Sequence, residues 1–298
     1  MDKRILLVGT VSNVSKTLEK ELRIVLESLS EFDLVEVFLV ESDSSDETVK
    51  VLERLKKSIL NLEFVALGKI KEILPNRISR IAYCRNVYVR YIRDNHDISK
   101  WDYVAVADLD GMNFKLSRNG IRSCFETNTF WNGIMANQSF GYYDLYALRA
   151  VNWVEGDCFE ELEIEKRNAK PHRQSKYRFF QFILSFKHYD KLRKTLIYDR
   201  MKVLSKKSDL INVKSAFGGF AIYKPDIFFK SDYNNDNTNI ISEHVTFHSK
   251  LVNDEARFFI NPKLINNHLN IYNLNKIMIV RFLLEFKKYF KSDIFNLL

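Results

Sequence analysis

The sequence predicts an α/β fold in which a mainly parallel central sheet is flanked by helices. Over about the first 110 residues, short apolar runs alternate with segments whose apolar residues recur every three or four positions, as alternating strands and helices do. The run from Tyr103 to Ala107 is apolar throughout, which is typical of a strand buried on both faces. Polar or acidic residues follow three of the predicted strands, at the edge where such sheets bind ligands.

The composition is that of an ordinary globular protein. The chain has 298 residues, 46% hydrophobic and 28% charged, with only 9 Gly and 4 Pro, which favours one large domain without long linkers. Its three cysteines are far apart and form no Cys-x-x-Cys motif, so we expect a reduced, cytoplasmic compartment. We recognise neither a signal peptide nor an apolar run of roughly 18 residues. We therefore expect a soluble protein or a peripheral one at the inner face of the plasma membrane.

The first half of the chain contains four predicted strands with helices between them. The strands are Ile5 to Val8, Leu34 to Val40, Leu62 to Leu67 and Tyr103 to Ala107. Leu18, Leu22 and Val25 have helical spacing and predict a helix after the first strand. Ser44 and Glu47 predict a capping box at the start of the helix that follows the second strand.

Acidic residues follow two of these strands. Asp108 and Asp110 end the buried run, where two carboxylates are costly to desolvate unless a cation lies between them. Mg²⁺ or Mn²⁺ carrying a diphosphate would satisfy both carboxylates, and a polar turn is the alternative interpretation. Glu41 and Asp43 follow the second strand and could bind a ribose or a base, with helix capping as the alternative.

The helix predicted from Arg77 to Asn95 carries one residue that does not fit its pattern. At 100° per residue, the apolar side chains occupy one broad arc, and Arg85 lies inside that arc. A buried guanidinium needs an anionic partner, which the aspartate pair or a ligand phosphate could supply. The alternative is an arginine at the edge of the arc whose charged end reaches water.

The second half of the chain is less regular and contains a basic segment. Phe130 to Gln138 and Tyr142 to Leu148 are predicted strands, and a helical insertion is predicted at about 155–210. Between Lys166 and Lys207 there are 14 Lys and Arg residues against 2 acids. Such a block could bind nucleic acid, anionic lipid or an anionic substrate. Its apolar stretch is compatible with amphipathic helices on a membrane surface or with a solvated helical hairpin.

Two short motifs follow the insertion. Gly218 and Gly219 precede a predicted strand and either let the backbone approach a ligand or simply make a turn. Glu243 opens a predicted helix and is placed as a general base, with capping of that helix as the alternative. His244 and His248 are spaced i, i+4, but without a third ligand nearby we do not expect a zinc site.

Six motifs in one order resemble the nucleotide-diphospho-sugar glycosyltransferases of the GT-A fold, a Rossmann-like α/β fold. The layout is similar to the family-two type and to bacterial surface-polysaccharide transferases. The motifs are Thr10, Val40 to Thr48, Cys84-Arg85-Asn86, Ala107 to Asp110, Phe217 to Phe220 and Ser242-Glu243-His244. The resemblance spans about residues 4–270. It implies a metal-dependent, hexosyltransferase-like enzyme of surface polysaccharide or capsule biosynthesis, which moves a sugar from a UDP- or GDP-sugar to a glycan or lipid-linked acceptor.

The resemblance also implies which residues bind the nucleotide-sugar donor. Glu41 and Asp43 would hold its nucleoside part, Arg85 would face its pyrophosphate, and Thr10 would also bind the donor. Asp108 would contact the ribose and the metal.

The remaining implied roles concern the metal and the acceptor. Asp110 would ligate Mn²⁺ or Mg²⁺, His268 would complete the metal shell, and Glu243 would deprotonate the attacking hydroxyl. The residues bordering the acceptor would be Gly218, Gly219 and His244.

The sequence departs from the family pattern in two places. Family members that invert the anomeric configuration usually have Glu-Asp where this chain has Glu243-His244. This departure leaves retention open as the alternative, and inversion stays our first expectation because Glu243 matches the base of inverting members. The amphipathic motif of processive members is missing from the sequence, so we expect a single transfer.

Several alternatives stay open. A sugar-phosphate nucleotidyltransferase is the nearest enzymatic one, although the loop Gly9 to Asn13 has one glycine and no basic residue. The non-enzymatic alternatives are a basic nucleic-acid-binding protein and a lectin-like or scaffold protein. No nucleic-acid-binding motif accompanies the charge, so nucleic acid is not an expected partner, whereas an anionic membrane surface is. We expect one catalytic domain over 1–298, with a nucleotide-sugar-binding half at 1–113, an acceptor-binding half at 114–270 and a C-terminal amphipathic helix at 271–298.

Overall fold

The computed structural model describes residues 2–95, 97–168, 176–233, 241–268, 274 and 277–291. The strands are β1 (Arg4–Val11), β2 (Leu34–Glu41), β3 (Leu62–Ala66), β4 (Tyr103–Asp108), β5 (Gly133–Gln138), β6 (Ile211–Val213), β7 (Phe220–Tyr223) and β8 (Phe258–Asn267). The helices are α1 (Leu18–Ser28), α2 (Thr48–Ser58), α3 (Arg77–Asn95), α4 (Arg118–Arg122), α5 (Cys158–Asn168), α6 (Arg178–Leu196), α7 (Pro225–Phe228), α8 (Glu243–Asn253) and α9 (Met278–Lys291).

These strands form one sheet in the order β3-β2-β1-β4-β7-β5-β8-β6. β3, β2, β1 and β4 are parallel neighbours, as the alternating pattern of the first half predicted. β7 lies antiparallel between β4 and β5, β6 is antiparallel to β8, and β5 is parallel to β8. The sheet is therefore mixed, and the prediction of a mainly parallel sheet is only partly confirmed. The second half lacks the regular strand–helix alternation that parallel crossovers require.

Helices cover both faces of the sheet. On one face, α1 and α2 bury Leu22 and Leu52 in the same apolar cluster as Leu7 of β1. On the other face, α3 buries Tyr88 in a cluster with Val8 of β1. Successive residues of a strand point to opposite faces. This explains why β1 is apolar at every position from Ile5 to Val8.

The segment from Tyr142 to Leu148 was predicted to be a strand, and this prediction is wrong. It forms turns, because Asp144 Oδ1 accepts a hydrogen bond from the N–H of Ala147 at 3.3 Å. Side-chain bonds of this kind compete with pairing in a sheet. The aromatic composition that suggested a strand is instead explained by burial, since Tyr142 is wholly buried.

The start of α2 also differs from its prediction. Ser44 and Glu47 do not form a capping box, and Ser44 Oγ instead accepts a hydrogen bond from the N–H of Asn13 at 3.0 Å. Asp46 Oδ1 takes the capping role by accepting from the N–H of Thr48 at 3.0 Å. An aspartate satisfies the free N–H groups of a helix start as well as a serine does.

The basic insertion is helical, as predicted, and it packs against the C-terminal helix. Phe182 of α6 contacts Phe282 of α9 edge to face, with ring centroids 5.3 Å apart. Arg281 of α9 is buried and binds both carboxylate oxygens of Asp190 on α6, at 2.6 and 2.8 Å. Within the ranges that the structure describes, no helix combines the length and the apolar character needed to cross a bilayer.

Candidate functional site

A cleft of about 560 Å³ opens beyond the carboxyl ends of β1, β2 and β4. Ligands of open α/β sheets bind at this edge. The cleft is walled by the ends of these strands, by α3, by the loop after β5, by the start of α8 and by parts of the helical insertion. Its charged lining residues are Asp43, Arg77, Arg80, Arg85, Asp108, Asp110, Asp144 and Glu243.

The predicted aspartate pair lies in this cleft. Asp108 ends β4, and its backbone N–H donates to the carbonyl of Gly219 at 2.9 Å. Asp110 reaches water, yet the surrounding protein removes part of its hydration. This burial, together with the neighbouring Asp108 carboxylate, raises the pKa of Asp110 to about 6. Two carboxylates that oppose each other's ionisation in this way form a site at which a divalent cation is stabilised.

Arg85 is buried at 2% exposure, as its position within the apolar arc of α3 indicated. Its Nη2 donates to Asp108 Oδ1 at 2.8 Å, and its Nε donates to Glu243 Oε1 at 3.2 Å. The guanidinium also lies over the ring of Phe217, 5.1 Å from the centroid. Burial alone would lower the pKa of Arg85, but Asp108, Tyr88 and Glu243 hold it well above its usual value. Arg85 is thus a fixed positive charge at the floor of the cleft.

The start of α8 brings Glu243 and His244 to the cleft. Ser242 caps this helix by accepting from the N–H of His244 at 3.3 Å. Both nitrogens of the His244 ring are buried, and neither has a hydrogen-bond partner among the described residues. The ring stacks on Phe217 at 3.9 Å, and burial, with Arg85 and His248 nearby, lowers its pKa well below the usual value. His244 is therefore a neutral imidazole.

Glu21, on α1, fixes the loop that follows Asp110 from beneath. Its Oε2 accepts from the N–H of Gly111 at 2.6 Å, and its Oε1 accepts from the backbone N–H of Asn113 at 2.7 Å and from the side chain of Asn113 at 3.1 Å. The carboxyl group is fully buried, and this burial raises its pKa to about 7.

A chain of buried amide side chains links this loop to the glycine turn. Asn113 Nδ2 donates to the carbonyl of Asp108 at 2.6 Å, and Asn113 Oδ1 accepts from Asn266 at 3.1 Å. Asn266 and Gln138 both donate to the carbonyl of Gly218, at 2.8 and 2.9 Å. All three amide side chains are wholly buried. Buried polar networks that are satisfied in this way rigidify the segments that they join.

Gly218 and Gly219 form the turn before β7 and border the cleft. Their φ angles are +73° and +89°, a region that favours glycine. A Cβ atom on Gly218 would lie 2.8 Å from the carbonyl oxygen of Ala136, so the close approach of two backbones also requires glycine there. The N–H of Gly218 donates to Asp144 Oδ2 at 2.9 Å.

Asp144 is a second cleft carboxylate, on the loop after β5. Its side chain accepts hydrogen bonds from the backbone N–H groups of Gly218 and Ala147, and it lines the cleft. Burial raises the pKa of Asp144 to about 6, with contributions from the charges of Glu243 and Asp108.

Thr10 and the residues predicted to hold a nucleoside lie at the other end of the cleft. Thr10 and Asp43 line it, whereas Glu41 is 2% exposed and its Oε1 accepts from the N–H of Ser44 at 3.0 Å. Glu41 therefore closes a local turn before α2, which differs from the helix capping that was the alternative to ligand binding. Asp43 has a φ of 59° and lies 3.5 Å from Arg80 in an ion pair.

His268 was predicted to complete a metal shell. Its ring Nδ1 hydrogen-bonds Ser139 Oγ at 2.7 Å, and its chain neighbour Asn267 donates to the carbonyl of Gly111 at 3.3 Å. Among the described residues there is no cluster of three or more His, Cys, Asp or Glu side chains that could hold a metal.

The donor set of two carboxylates nevertheless fits a hard divalent cation. Mg²⁺ and Mn²⁺ are held in many enzymes by one or two carboxylates, with substrate phosphates and water as the remaining ligands. The cleft lining contains five carboxylates and three guanidiniums, a net charge of −2 with all groups ionised, in a chain of net charge +8. A cation bound in this acidic cleft would offset its negative charge for a phosphate-bearing ligand.

Three residues that line the cleft or support it were not predicted from the sequence. Glu21 lies on the apolar stripe of α1, between Leu18 and Val25, and this is the same kind of misfit that revealed Arg85. Arg77 lies in the first turn of α3, where a positive charge opposes the helix dipole, and that unfavourable placement was an available signal for an anion site. Asp144 had no such signal, because its segment was predicted to be a strand.

Comparisons with known proteins yield structural likenesses only. No protein-family model matches the sequence, and no curated protein matches it. The mannosyltransferase PcManGT from Pyrobaculum calidifontis, in complex with GDP-Man and Mn²⁺, is similar with a TM-score of 0.49 and 12% identity, over 99% of this chain and 65% of its own. S. aureus TarS 1–349 is similar with a TM-score of 0.47 and 12% identity, over 95% of this chain and 65% of its own.

A third similar structure is glucosyl-3-phosphoglycerate synthase from Mycobacterium tuberculosis in complex with uridine-diphosphate. Its TM-score is 0.38 and its identity is 13%, over 95% of this chain and 80% of its own. This chain spans 65% of the length of the first two structures. We therefore base the functional assignment on the cleft itself.

Proposed function

We propose that the protein is a glycosyltransferase of the GT-A fold that uses a nucleotide-diphospho-sugar and a divalent cation. The observation that carries this proposal is the pairing of Asp108 and Asp110 at the end of β4 with the buried guanidinium of Arg85. The two carboxylates can bind a metal ion, and the guanidinium can bind a phosphate. Together, at the edge where α/β sheets bind ligands, they match a diphosphate that carries a metal ion.

The donor is proposed to lie along the strand ends, within the nucleotide-sugar-binding half at 1–113. Thr10 and Asp43 contact the nucleoside in this proposal, while Glu41 supports the turn that carries Asp43. Arg77 lines the cleft beside Asp110 and has no ion-pair partner among the described residues. It is available to a phosphate in a way that Arg80, paired with Asp43, is not.

Asp108 and Asp110 would hold Mn²⁺ or Mg²⁺, which when bound neutralises charge on the diphosphate as a Lewis acid. We keep His268 as a proposed further ligand, since Asn267 beside it already bonds the loop that carries Asp110. Arg85 stabilises the charge of the departing diphosphate from the floor of the cleft. Because two carboxylates already hold it, we expect its position to stay the same when the ligand binds.

The acceptor half is proposed to span 114–270, with Gly218, Gly219 and His244 at the acceptor. Glu243 was predicted as the general base of an inverting transfer, with retention as the alternative, and it is one of two candidate bases in the cleft, the other being Asp144. The carboxylate of Glu243 already balances the charge of Arg85, whose Nε donates a hydrogen bond to Glu243 Oε1 at 3.2 Å. Protonating that carboxylate would leave a buried guanidinium with one partner fewer, which is costly. The configuration of the product at its anomeric carbon, measured by NMR, decides between inversion and retention.

We propose a glycan or lipid-linked acceptor in surface polysaccharide biosynthesis, reached at an anionic membrane. The insertion is basic, and α6 and α9 expose Phe180, Ile279 and Leu283 at 58%, 64% and 58%. Apolar side chains on basic helices bind anionic interfaces. Co-sedimentation with phosphatidylglycerol vesicles, but not with phosphatidylcholine vesicles, is expected. It should be lost in the double variant Ile279→Glu and Leu283→Glu.

The glycosyltransferase proposal is tested by donor turnover. Purified protein is incubated with UDP- and GDP-sugars in Mn²⁺, in Mg²⁺ or in EDTA, and release of the nucleoside diphosphate is measured. We expect metal-dependent release that falls at least about 100-fold in Asp110→Asn, since the metal site supplies several kcal/mol of charge stabilisation. Asp226→Asn, on the exposed surface of α7, is the matched control. Unchanged turnover in Asp110→Asn would contradict the proposal.

A further inference from the structure

Three aromatic side chains form one wall of the cleft. Tyr146 lies in the loop after β5, Phe159 on α5 and Tyr198 just after α6, and all three line the cleft. The rings of Tyr146 and Phe159 meet edge to face, with centroids 5.7 Å apart. Phe159 is 38% exposed. This aromatic wall is built mainly by the helical insertion, on a part of the chain separate from the strand ends that carry Asp108 and Asp110.

Among the described residues, the guanidinium that lies over the aromatic wall is already paired, since Arg281, 4.8 Å from the ring centroid of Tyr198, binds both carboxylate oxygens of Asp190. The guanidiniums that line the cleft all come from α3. The two arginines nearest in sequence to the wall are already paired, Arg149 with Asp157 at 2.8 Å and Arg200 with Glu161 at 2.7 Å. Within the described part of the chain, a phosphate or carboxylate placed against this wall would therefore have only Arg77 as an ionic partner to offset the penalty of its desolvation, and the proposed function assigns Arg77 to the phosphates of the donor. An uncharged sugar, whose apolar face stacks on aromatic rings and whose hydroxyls need hydrogen-bond acceptors, meets no such penalty.

Asp144 supplies the hydrogen-bond acceptor beside the aromatic wall. It precedes Tyr146 by two residues and lines the same cleft. Its partners are the backbone N–H groups of Gly218 and Ala147, so it can take up a proton without leaving a buried charge uncompensated. Glu243 differs in this respect because it is bound to Arg85. The pKa of Asp144, at about 6, is close to neutrality, as is favourable for a proton acceptor.

We propose that the aromatic wall and Asp144 form the acceptor subsite, that its ligand is an uncharged glycosyl residue, and that Asp144 takes the proton of the attacking hydroxyl. This inference rests on the proposed glycosyltransferase function. In the transfer, the acceptor oxygen forms a bond to the anomeric carbon, and the bond from that carbon to the diphosphate oxygen breaks. The diphosphate leaves with the electron pair, and the hydroxyl proton passes to the Asp144 carboxylate.

Binding of the acceptor is tested apart from turnover. The protein is loaded with Mn²⁺ and with whichever of UDP and GDP raises its melting temperature more. Methyl glycosides of glucose, galactose, mannose and N-acetylglucosamine are then compared with the 6-phosphates of the same sugars by saturation-transfer difference NMR. At least one neutral glycoside should bind. Phe159→Ala should weaken its binding about three- to tenfold, and Phe159→Tyr should restore it.

The control for this experiment is Phe130→Ala, since Phe130 is 63% exposed and lies outside the cleft. This variant should bind the glycoside as the unmodified protein does. Binding of the phosphorylated sugars alone, binding of no glycoside, or binding that is indifferent to Phe159→Ala overturns the subsite. If neither nucleotide with Mn²⁺ raises the melting temperature, the donor proposal fails instead, so the two failures are distinguishable.

The proton-acceptor role is tested by comparing Asp144→Asn with Glu243→Gln. With Asp144 as the acceptor, Asp144→Asn should lower kcat for transfer about 100-fold or more, and the melting-temperature increase with Mn²⁺ and nucleotide should be unchanged. Glu243→Gln should lower that increase, because it disturbs Arg85. The reverse pattern, with kcat lost only in Glu243→Gln, overturns the role. An Asp144→Asn variant that has lost the nucleotide-induced increase as well also overturns it, because Asp144 would then be a structural residue.

Discussion

Two buried charged residues hold the end of β4 from opposite faces of the sheet. Arg85 lies on α3 and Glu21 on α1, each within the apolar surface of its helix, and each is almost completely excluded from water. Arg85 bonds the carboxylate of Asp108, at the strand end. Glu21 bonds the backbone of the loop three to five residues further on, at Gly111 and Asn113.

The difference between the two lies in what they bind. The partners of Arg85 are side-chain charges that face the cleft, so Arg85 determines the electrostatics of the site. The partners of Glu21 are backbone and amide N–H groups, so Glu21 determines the conformation of the loop that carries Asp110. The comparison predicts that removing Arg85 costs more stability, and that removing Glu21 acts mainly through the geometry of Asp110.

The largest effect is expected for Arg85→Met. This variant keeps much of the side-chain volume but leaves the carboxylates of Asp108 and Glu243 without their buried partner. The free energy of unfolding should fall by about 3–5 kcal/mol, as measured by urea denaturation. Arg90→Met is the matched control on the same helix, because Arg90 is exposed and pairs with Asp232 at the surface. It should cost less than about 1 kcal/mol, and equal losses in the two variants would contradict the comparison.

A smaller effect is expected for Glu21→Gln. The new amide group places a donor against a backbone N–H that Glu21 now satisfies, and an unsatisfied buried donor costs about 1–3 kcal/mol. The loop that carries Asp110 should shift, so the rise in melting temperature with Mn²⁺ and a nucleotide should shrink more than stability alone explains. Glu19→Gln, on the exposed side of α1, is the control. If Glu21→Gln loses the expected stability but keeps the full rise in melting temperature with Mn²⁺ and a nucleotide, Glu21 does not position the loop that carries Asp110.

The third effect is a pH dependence of the free energy of unfolding. The folded-state pKa of Glu21 is about 7, above its usual 4.5, because of burial. The folded state therefore binds more protons than the unfolded state between about pH 4.5 and 7, and the stability that this supplies is lost as the pH rises through that window. Asp110 and Asp144, with pKa values raised to about 6, act in the same direction.

In EDTA, the free energy of unfolding of Glu21→Gln should fall less steeply between about pH 4.5 and 7 than that of the unmodified protein. The difference in slope should be at most about 1.4 kcal/mol per pH unit. The folded-state pKa of Glu19 is shifted in the opposite direction from that of Glu21, because the hydrogen bond from Arg23 lowers it. Glu19→Gln should change the profile only below about pH 4.5. An unaltered slope between pH 4.5 and 7 in Glu21→Gln would show that this carboxyl does not titrate there.

The contrast between the two residues also shows what the sequence could predict. Arg85 was predicted to be buried with an anionic partner, because a guanidinium inside an apolar arc must be compensated by an acid. The acids that compensate it are themselves conspicuous in the sequence. The bounds of α3 and the strand before Asp108 were predicted from periodicity. Glu21 occupies an equivalent position on α1, but its partners are backbone N–H groups, which no residue identity reveals.

The acceptor side of the cleft could not be predicted in the same way. The segment from Tyr142 to Leu148 has the composition of a strand, but it forms turns in which Asp144 accepts hydrogen bonds from the N–H of nearby Ala147 and from that of distant Gly218. The antiparallel position of β7 likewise depends on the turn at Gly218 and Gly219 and on its supporting amides. The structure of this half of the chain depends on contacts between residues about 75 to 130 positions apart. The local sequence pattern does not encode such contacts.

The most direct measurement is calorimetric titration of UDP and GDP into the protein, with Mn²⁺ and with EDTA. A cleft with two more carboxylates than guanidiniums should bind a nucleoside diphosphate only through a cation. We predict that at least one nucleotide binds in Mn²⁺, and that EDTA or Asp110→Asn weakens its binding at least about tenfold. Equal affinity in EDTA, or an affinity that Asp110→Asn leaves unchanged, would contradict the account.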